Sequence, residues 1–255
     1  MTVDLASSPV DRAVRRTEVL LVLGVSLGAS AVYSLVTIIA RLTAEQSLSQ
    51  QTATLNPSRS DRPYLDLTYQ LLGIFFNLVP VLLALHLLNR DGDGRRALGI
   101  DCRRPAFDLR WGALLAVGIG IPGLGLYFGA HALGINATVV PAALNDVWWA
   151  VPVLILAAAQ NAILEEVIVV GYLMTRLQEM GWRIRAVVAA SALLRGSYHL
   201  YQGFGGFVGN AVMGVVFALF YLRCKRVVPL IIAHTLLDVV AFVGYTLLKD
   251  HWSWL

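Results

Sequence analysis

The chain repeatedly runs for some twenty residues with almost no charge, and that pattern limits what it can fold into. Apolar stretches cover Val19–Ala40, Leu67–Leu88, Trp111–Ala130, Val147–Leu173, Ala186–Tyr201, Phe207–Leu222 and Val227–Leu248. A helix of ~20 residues crosses the ~30 Å hydrocarbon layer of a bilayer, so these read as about seven spans. Of 255 residues, 57% are hydrophobic and 14% charged. The expected fold is all-α, a polytopic transmembrane helix bundle. No Pro-, Gly- or Ser-rich linker divides it, so residues 1–255 read as one integral-membrane domain.

Basic residues cluster in particular connectors, which makes the net charge of +4 an orientation signal; no nucleic-acid partner is expected. Asn89–Arg110 carries Arg90, Arg95, Arg96, Arg103, Arg104 and Arg110, and Arg223, Lys225 and Arg226 follow the sixth run, whereas His131–Asp146 has no Lys or Arg. By the positive-inside rule the amino terminus and a tail of residues 1–17 are cytoplasmic and the carboxyl terminus is outside. The expected location is the plasma membrane (bacterial inner membrane), with multiple passes. The first run continues well past the cleavage-site mimic Ala29-Ser30-Ala31 and exceeds a ~7–15-residue signal core, so it reads as a retained helix. Arg41–Asp66 and His131–Asp146 read as loops, Asn136-Ala137-Thr138 matches a glycosylation acceptor, and Trp252 and Trp254 read as interfacial anchors. Cys102 and Cys224 lack metal-ligand spacing and fall in connectors assigned to the cytoplasm, where thiols stay reduced.

Two adjacent carboxylates, Glu165 and Glu166, sit inside the fourth run. An acidic residue at the centre of a membrane helix costs ~2.5–3.5 kcal/mol on insertion scales and ordinarily faces a bundle interior. At ~100° per residue, Asn161, Tyr172 and Arg176 share the direction of Glu165, and Glu166 lies to one side as the holder of a partner. Arg195, His199 and Gln202 share a face of the fifth run, and His234, Asp238 and Tyr245 a face of the seventh. Gly206, Asn210 and Gly214 form a small-residue stripe on the sixth, suited to close packing. Counted at ~1.5 Å per residue from the basic ends, Glu165, His199 and His234 converge in the inner half of the membrane. The candidate site therefore lies between spans four, five and seven.

Each residue has an ordinary explanation: His234 and Asp238 as an intrahelical pair, Arg195 as a snorkelling side chain or a counter-ion. Together, two Glu, an Arg, two His and an Asp would cost on the order of 10 kcal/mol if they served nothing. Such a set suits hydrolysis. A carboxylate in a dry pocket can act as general base toward water, with imidazoles steadying the water and the oxyanion. The other route is metal-assisted, with Glu and two His as ligands, and zinc is then the candidate cofactor. Neither His-Glu-x-x-His nor Gly-x-Ser-x-Gly occurs.

Glu165-Glu166, then Leu194-Arg195-Gly196-Ser197-Tyr198-His199, then His234-Thr235-Leu236-Leu237-Asp238 resemble the CPBP intramembrane proteases, also called the Abi family, which include CAAX prenyl proteases and bacteriocin-processing or immunity proteins. That family's pattern is Glu-Glu-x-x-x-Arg, Phe-x-x-x-His and His-x-x-x-Asn or Asp on successive helices. The resemblance covers about Gln160 to Val243 and makes residues 147–248 the catalytic core region. It implies an endopeptidase cutting a membrane-associated peptide or protein, prenylated or leader-bearing, that reaches the site from the cytoplasmic side. Glu165 with His199 would activate water, His234 with Asp238 would support the oxyanion, and Glu166 would orient the site.

Two positions depart from the pattern: Val170 stands where the family has Arg, and Arg195 where it has Phe. The two are read as one change, with Arg195 reaching a glutamate to restore a missing ion pair. Two other functions stay open: a catalytically weakened member acting as a membrane scaffold or immunity factor, and a proton-coupled transporter.

Overall fold

The computed structural model describes residues 9–248. The first eight residues and Lys249–Leu255, with Trp252 and Trp254, lie outside the described residues. Residues 9–17, expected as a tail, are already helical: α1 (Pro9–Gly24) leads into α2 (Leu27–Leu42) across a 55° bend. One straight span was expected here. Gly24 and Ser26 mark the break, and the Ser26 hydroxyl donates to the Val22 carbonyl, a frequent way of bending a helix.

Proline at the first turn opens both α3 (Pro63–Asn89) and α5 (Pro105–Ala132), where its missing N–H costs nothing. A single turn, α4 (Gly94–Ala97), lies between them, capped by Asp93, whose carboxylate accepts from Arg96 N at 3.1 Å. The central element starts as α6 (Ala150–Glu165), widens into a π-helical segment over Glu166–Tyr172 and resumes as α7 (Leu173–Glu179). Burial covers 61% of its apolar stretch, against 11–33% for the other four candidate spans, so the bundle is built around it. Then come α8 (Ile184–His199), α9 (Phe204–Cys224) and α10 (Val228–Leu248).

Five helices are long and apolar enough to cross a membrane, six if the bent α1–α2 pair is one span. The remaining expected span, the fifth, is α8. It has only 16 residues, ~24 Å of rise, and stops in a 3-10 turn, Leu200–Gln202, before Gly203 at φ 117°, a left-handed value that glycine adopts freely. Gly214 lets α9 lie close on α8: a Cβ there would stand 2.9 Å from Ala192 Cα.

The all-α expectation needs one correction. The two segments read as loops contribute β1 (Thr52–Pro57) and β2 (Thr138–Ala143), paired in parallel with Thr52 opposite Thr138 and Pro57 opposite Ala143. A strand of six residues between turn signals leaves little trace in a membrane sequence, and its partner lies some 85 residues away. The parallel pairing requires a long crossover, which α3 to α5 provide. Asn136, the glycosylation match, is buried at 2% exposure; its Oδ1 accepts from Gly205 N at 2.9 Å and Gly206 N at 3.3 Å, tying β2 to the start of α9.

The other end of the bundle is knit by ion pairs. Arg226 forks onto Asp108 at 2.8 and 2.7 Å and reaches Asp101 at 2.9 Å, and its proton is held more tightly than usual, chiefly by the Asp108 hydrogen bonds. Arg176 donates to Asp91, to Glu179 at 2.7 Å and to the Leu87 carbonyl, while Arg15 lies 3.3 Å from Glu179. The Arg176 hydrogen bond is the main cause holding the Asp91 carboxyl below the ordinary carboxylate range.

Candidate active site

Glu165 ends the α-helical part of the central element and Glu166 begins its π segment. A π turn closes i→i+5 hydrogen bonds and advances less than 100° per residue, and such segments recur at functional sites. Face arithmetic therefore holds up to Glu165 and fails beyond it. Asn161 and Glu165 line one cavity, whereas Tyr172 and Arg176, expected on the same seam, do not, and Arg176 belongs to the ion-pair cluster at the other end.

Both carboxylates meet Arg195 of α8, which has no exposed surface. Its Nη2 lies 2.6 Å from Glu166 Oε1 and its Nη1 3.3 Å from Glu165 Oε2, and the guanidinium sits 5.4 Å from the Phe217 ring centroid. Glu166 is fully buried, and its Oε1 also accepts from His234 Nδ1 of α10 at 2.7 Å. The other ring nitrogen, Nε2, lies 3.7 Å from Asp238 Oδ1, one turn on. Val170 is buried in the apolar core cluster, and among the described residues the guanidinium against the glutamates is that of Arg195.

Tyr198 is the contact that sequence reasoning missed. Its hydroxyl donates to Glu165 Oε2 at 2.7 Å. It stands three residues after Arg195, hence on the same face of α8, and that spacing was the available signal. Glu165 Oε2 is thus held twice, Oε1 accepts no hydrogen bond from the described residues, and the side chain lines the cavity. His199 lines the same cavity. Its Nδ1 lies 3.3 Å from the Arg195 carbonyl, and because a carbonyl only accepts, that contact puts the proton on Nδ1 and leaves Nε2 with a lone pair.

The cavity measures about 730 Å³. Helices contribute Gln160 and Glu165, Tyr198 and His199, and His234 and Asp238, and the sheet contributes Thr54, Asn56 and Val139. The structure therefore brings all six candidate residues together: Glu165, His199, His234 and Asp238 line the cavity, and Arg195 and Glu166 are buried behind them.

Glu165, Glu166 and His234 offer ligand atoms within 4.8 Å of one another, and His199 is not in that group. Zinc fits the set poorly while Arg195 is in place. Glu166 Oε1 already accepts from two donors, so its unpartnered Oε2, Glu165 and His234 would be left as ligands, and a dication bound by them would share the carboxylates with the buried guanidinium. The positive charge that would neutralise the carboxylates comes from Arg195.

Residues 147–240, from just before α6 into α10, match the family model described as type II CAAX prenyl endopeptidase Rce1-like. That assignment agrees with the CPBP resemblance carried by the three motifs. No curated protein and no solved structure gave a significant match.

Proposed function

We propose that the chain is an intramembrane peptidase of the CAAX-protease type that hydrolyses a peptide bond of a membrane-associated substrate. One observation carries the reading: Glu165 is pinned through Oε2 by Tyr198 and Arg195 and keeps Oε1 free at the cavity wall that His199 shares. Glu165 Oε1 takes a proton from a water that His199 Nε2 helps to orient, and the hydroxide adds to the scissile carbonyl. His234, held between the Glu166 and Asp238 carboxylates and protonated on both ring nitrogens, donates from Nε2 to the developing oxyanion. Glu165 then returns the proton to the leaving amine. Arg195 holds the two carboxylates in place and does not touch substrate.

The test is a comparison of peptide termini in membranes from cells expressing wild type and Glu165→Gln, which keeps the shape of the side chain. Termini that appear only with wild type support hydrolysis. Full biological function of the Glu165→Gln protein with no change in termini would favour a scaffold or immunity role.

A further inference from the structure

Most of the cavity lies in one half of the bundle, with His234 and Leu237 of α10 at its floor. Its lining takes Gln70 to Asn77 from the first half of α3, Ile119 to Tyr127 from the second half of α5, Gly205 to Met213 from the first half of α9, and the end of α8. Those portions all lie at the end bearing β1 and β2, and residues of both strands wall the cavity. Beneath Glu165 and His234 the bundle is solid. Leu98, Ile168, Val170, Phe217, Tyr221 and Leu230 are buried at 0–1% exposure in one apolar cluster, and the Arg226–Asp108 and Arg176–Asp91 pairs close the far end.

Charge tells the two ends apart. The connectors at the closed end carry eight Lys and Arg: five between α3 and α5, Arg183 between α7 and α8, and Lys225 and Arg226 between α9 and α10. Those at the sheet end carry two, Arg59 and Arg62, between α2 and α3, and none between α5 and α6 or between α8 and α9. Short connectors rich in Lys and Arg stay in the cytosol. The closed end is the cytosolic one.

We infer, building on the peptidase reading, that the site is served from the non-cytosolic face, so that its substrate is an exported or membrane-inserted polypeptide whose scissile bond lies in the outer half of the bilayer or beyond it. A carboxyl-terminal tail presented in the cytosol would meet the plug of Leu98, Ile168 and Leu230 instead of the cavity. This reverses the cytoplasmic approach expected from the sequence. Counting residues from the basic ends gives the depth of the site; which way it opens follows from the packed core.

The native cysteines provide a built-in control, since Cys102 is exposed at the closed end. In full-length protein with Cys224→Ser, Gln202→Cys places a thiol in the cavity wall and Arg59→Cys one at its rim. A small membrane-impermeant sulfonated methanethiosulfonate is applied to intact and to permeabilised cells. Both introduced thiols should react in intact cells, and Cys102 only after permeabilisation. Cys102 reacting in intact cells, or the introduced thiols reacting only after permeabilisation or not at all, overturns the inference. Repeating the labelling in Glu165→Gln separates the two readings. An outward-open cavity in a protein that cleaves nothing sinks only the peptidase, whereas new termini confined to cytosolic segments sink only the sidedness.

Discussion

Arg195 of α8 binds Glu166 of the central helix at 2.6 Å, with both side chains wholly shielded from solvent. Removing one partner of such a pair strands the other charge, at a cost of ~3–5 kcal/mol. Arg195→Met should therefore lower the midpoint of thermal unfolding in detergent by many degrees and abolish cleavage. Adding Glu166→Gln should recover most of the stability and none of the activity, because His234 loses its anchor. An Arg195→Met protein as stable as wild type would show that the guanidinium is not what neutralises the glutamates.

The reading of Val170 and Arg195 as one exchanged guanidinium is testable in the same background. Arg195→Phe alone should behave like Arg195→Met. Combined with Val170→Arg, four residues beyond Glu166, it should regain measurable cleavage. Loss of activity in Arg195→Phe that Val170→Arg does nothing to reverse would mean that α8 is the only place from which this charge can work.

Tyr198 separates position from substrate contact. A hydroxyl donating to a buried carboxylate contributes ~1.5–3 kcal/mol to the fold, so Tyr198→Phe should lower the unfolding midpoint by several degrees and, by loosening Glu165, reduce kcat while KM changes little. A rise in KM with unchanged kcat would instead make Tyr198 a substrate contact.

What the sequence made legible, and what it hid, follows from which interactions leave a periodic trace. Spans appear as apolar runs because hydrocarbon tolerates little else, and Glu165, Arg195 and His234 stand out because charge there is costly. Arg195 could be assigned to a glutamate because an Arg and two Glu at similar depth have few other partners. The π segment was invisible: Val167 to Gly171 read equally well as α-helix, and one widened turn moves Arg176 off the face that 100° steps give it. The strands were equally hidden, since Thr52–Pro57 and Thr138–Ala143 each make sense only beside the other.

The poor fit of zinc to the site gives a direct expectation. Purified protein should contain far less than one zinc per chain by elemental analysis, and strong chelators should leave cleavage unchanged. Stoichiometric zinc that is lost together with activity, and restored with it, would require Arg195 to leave the Glu165–Glu166 pair before the ion binds.

Acid should loosen the arginine-rich end of the bundle. Hydrogen bonding to Arg176 holds Asp91 below the ordinary value of 3.8, and bonds from Arg103 and Arg226 do the same for Asp101. A carboxyl whose folded value is depressed contributes stability that is complete above its unfolded value and disappears as pH falls through the folded one. The unfolding midpoint of wild type should thus be flat above about pH 5 and fall as the pH drops below about 4. Asp91→Asn should be less stable than wild type near neutrality, with the two curves converging in acid. Parallel curves across the whole range would mean that Asp91 acts by size and hydrogen bonding alone, with no part played by its charge.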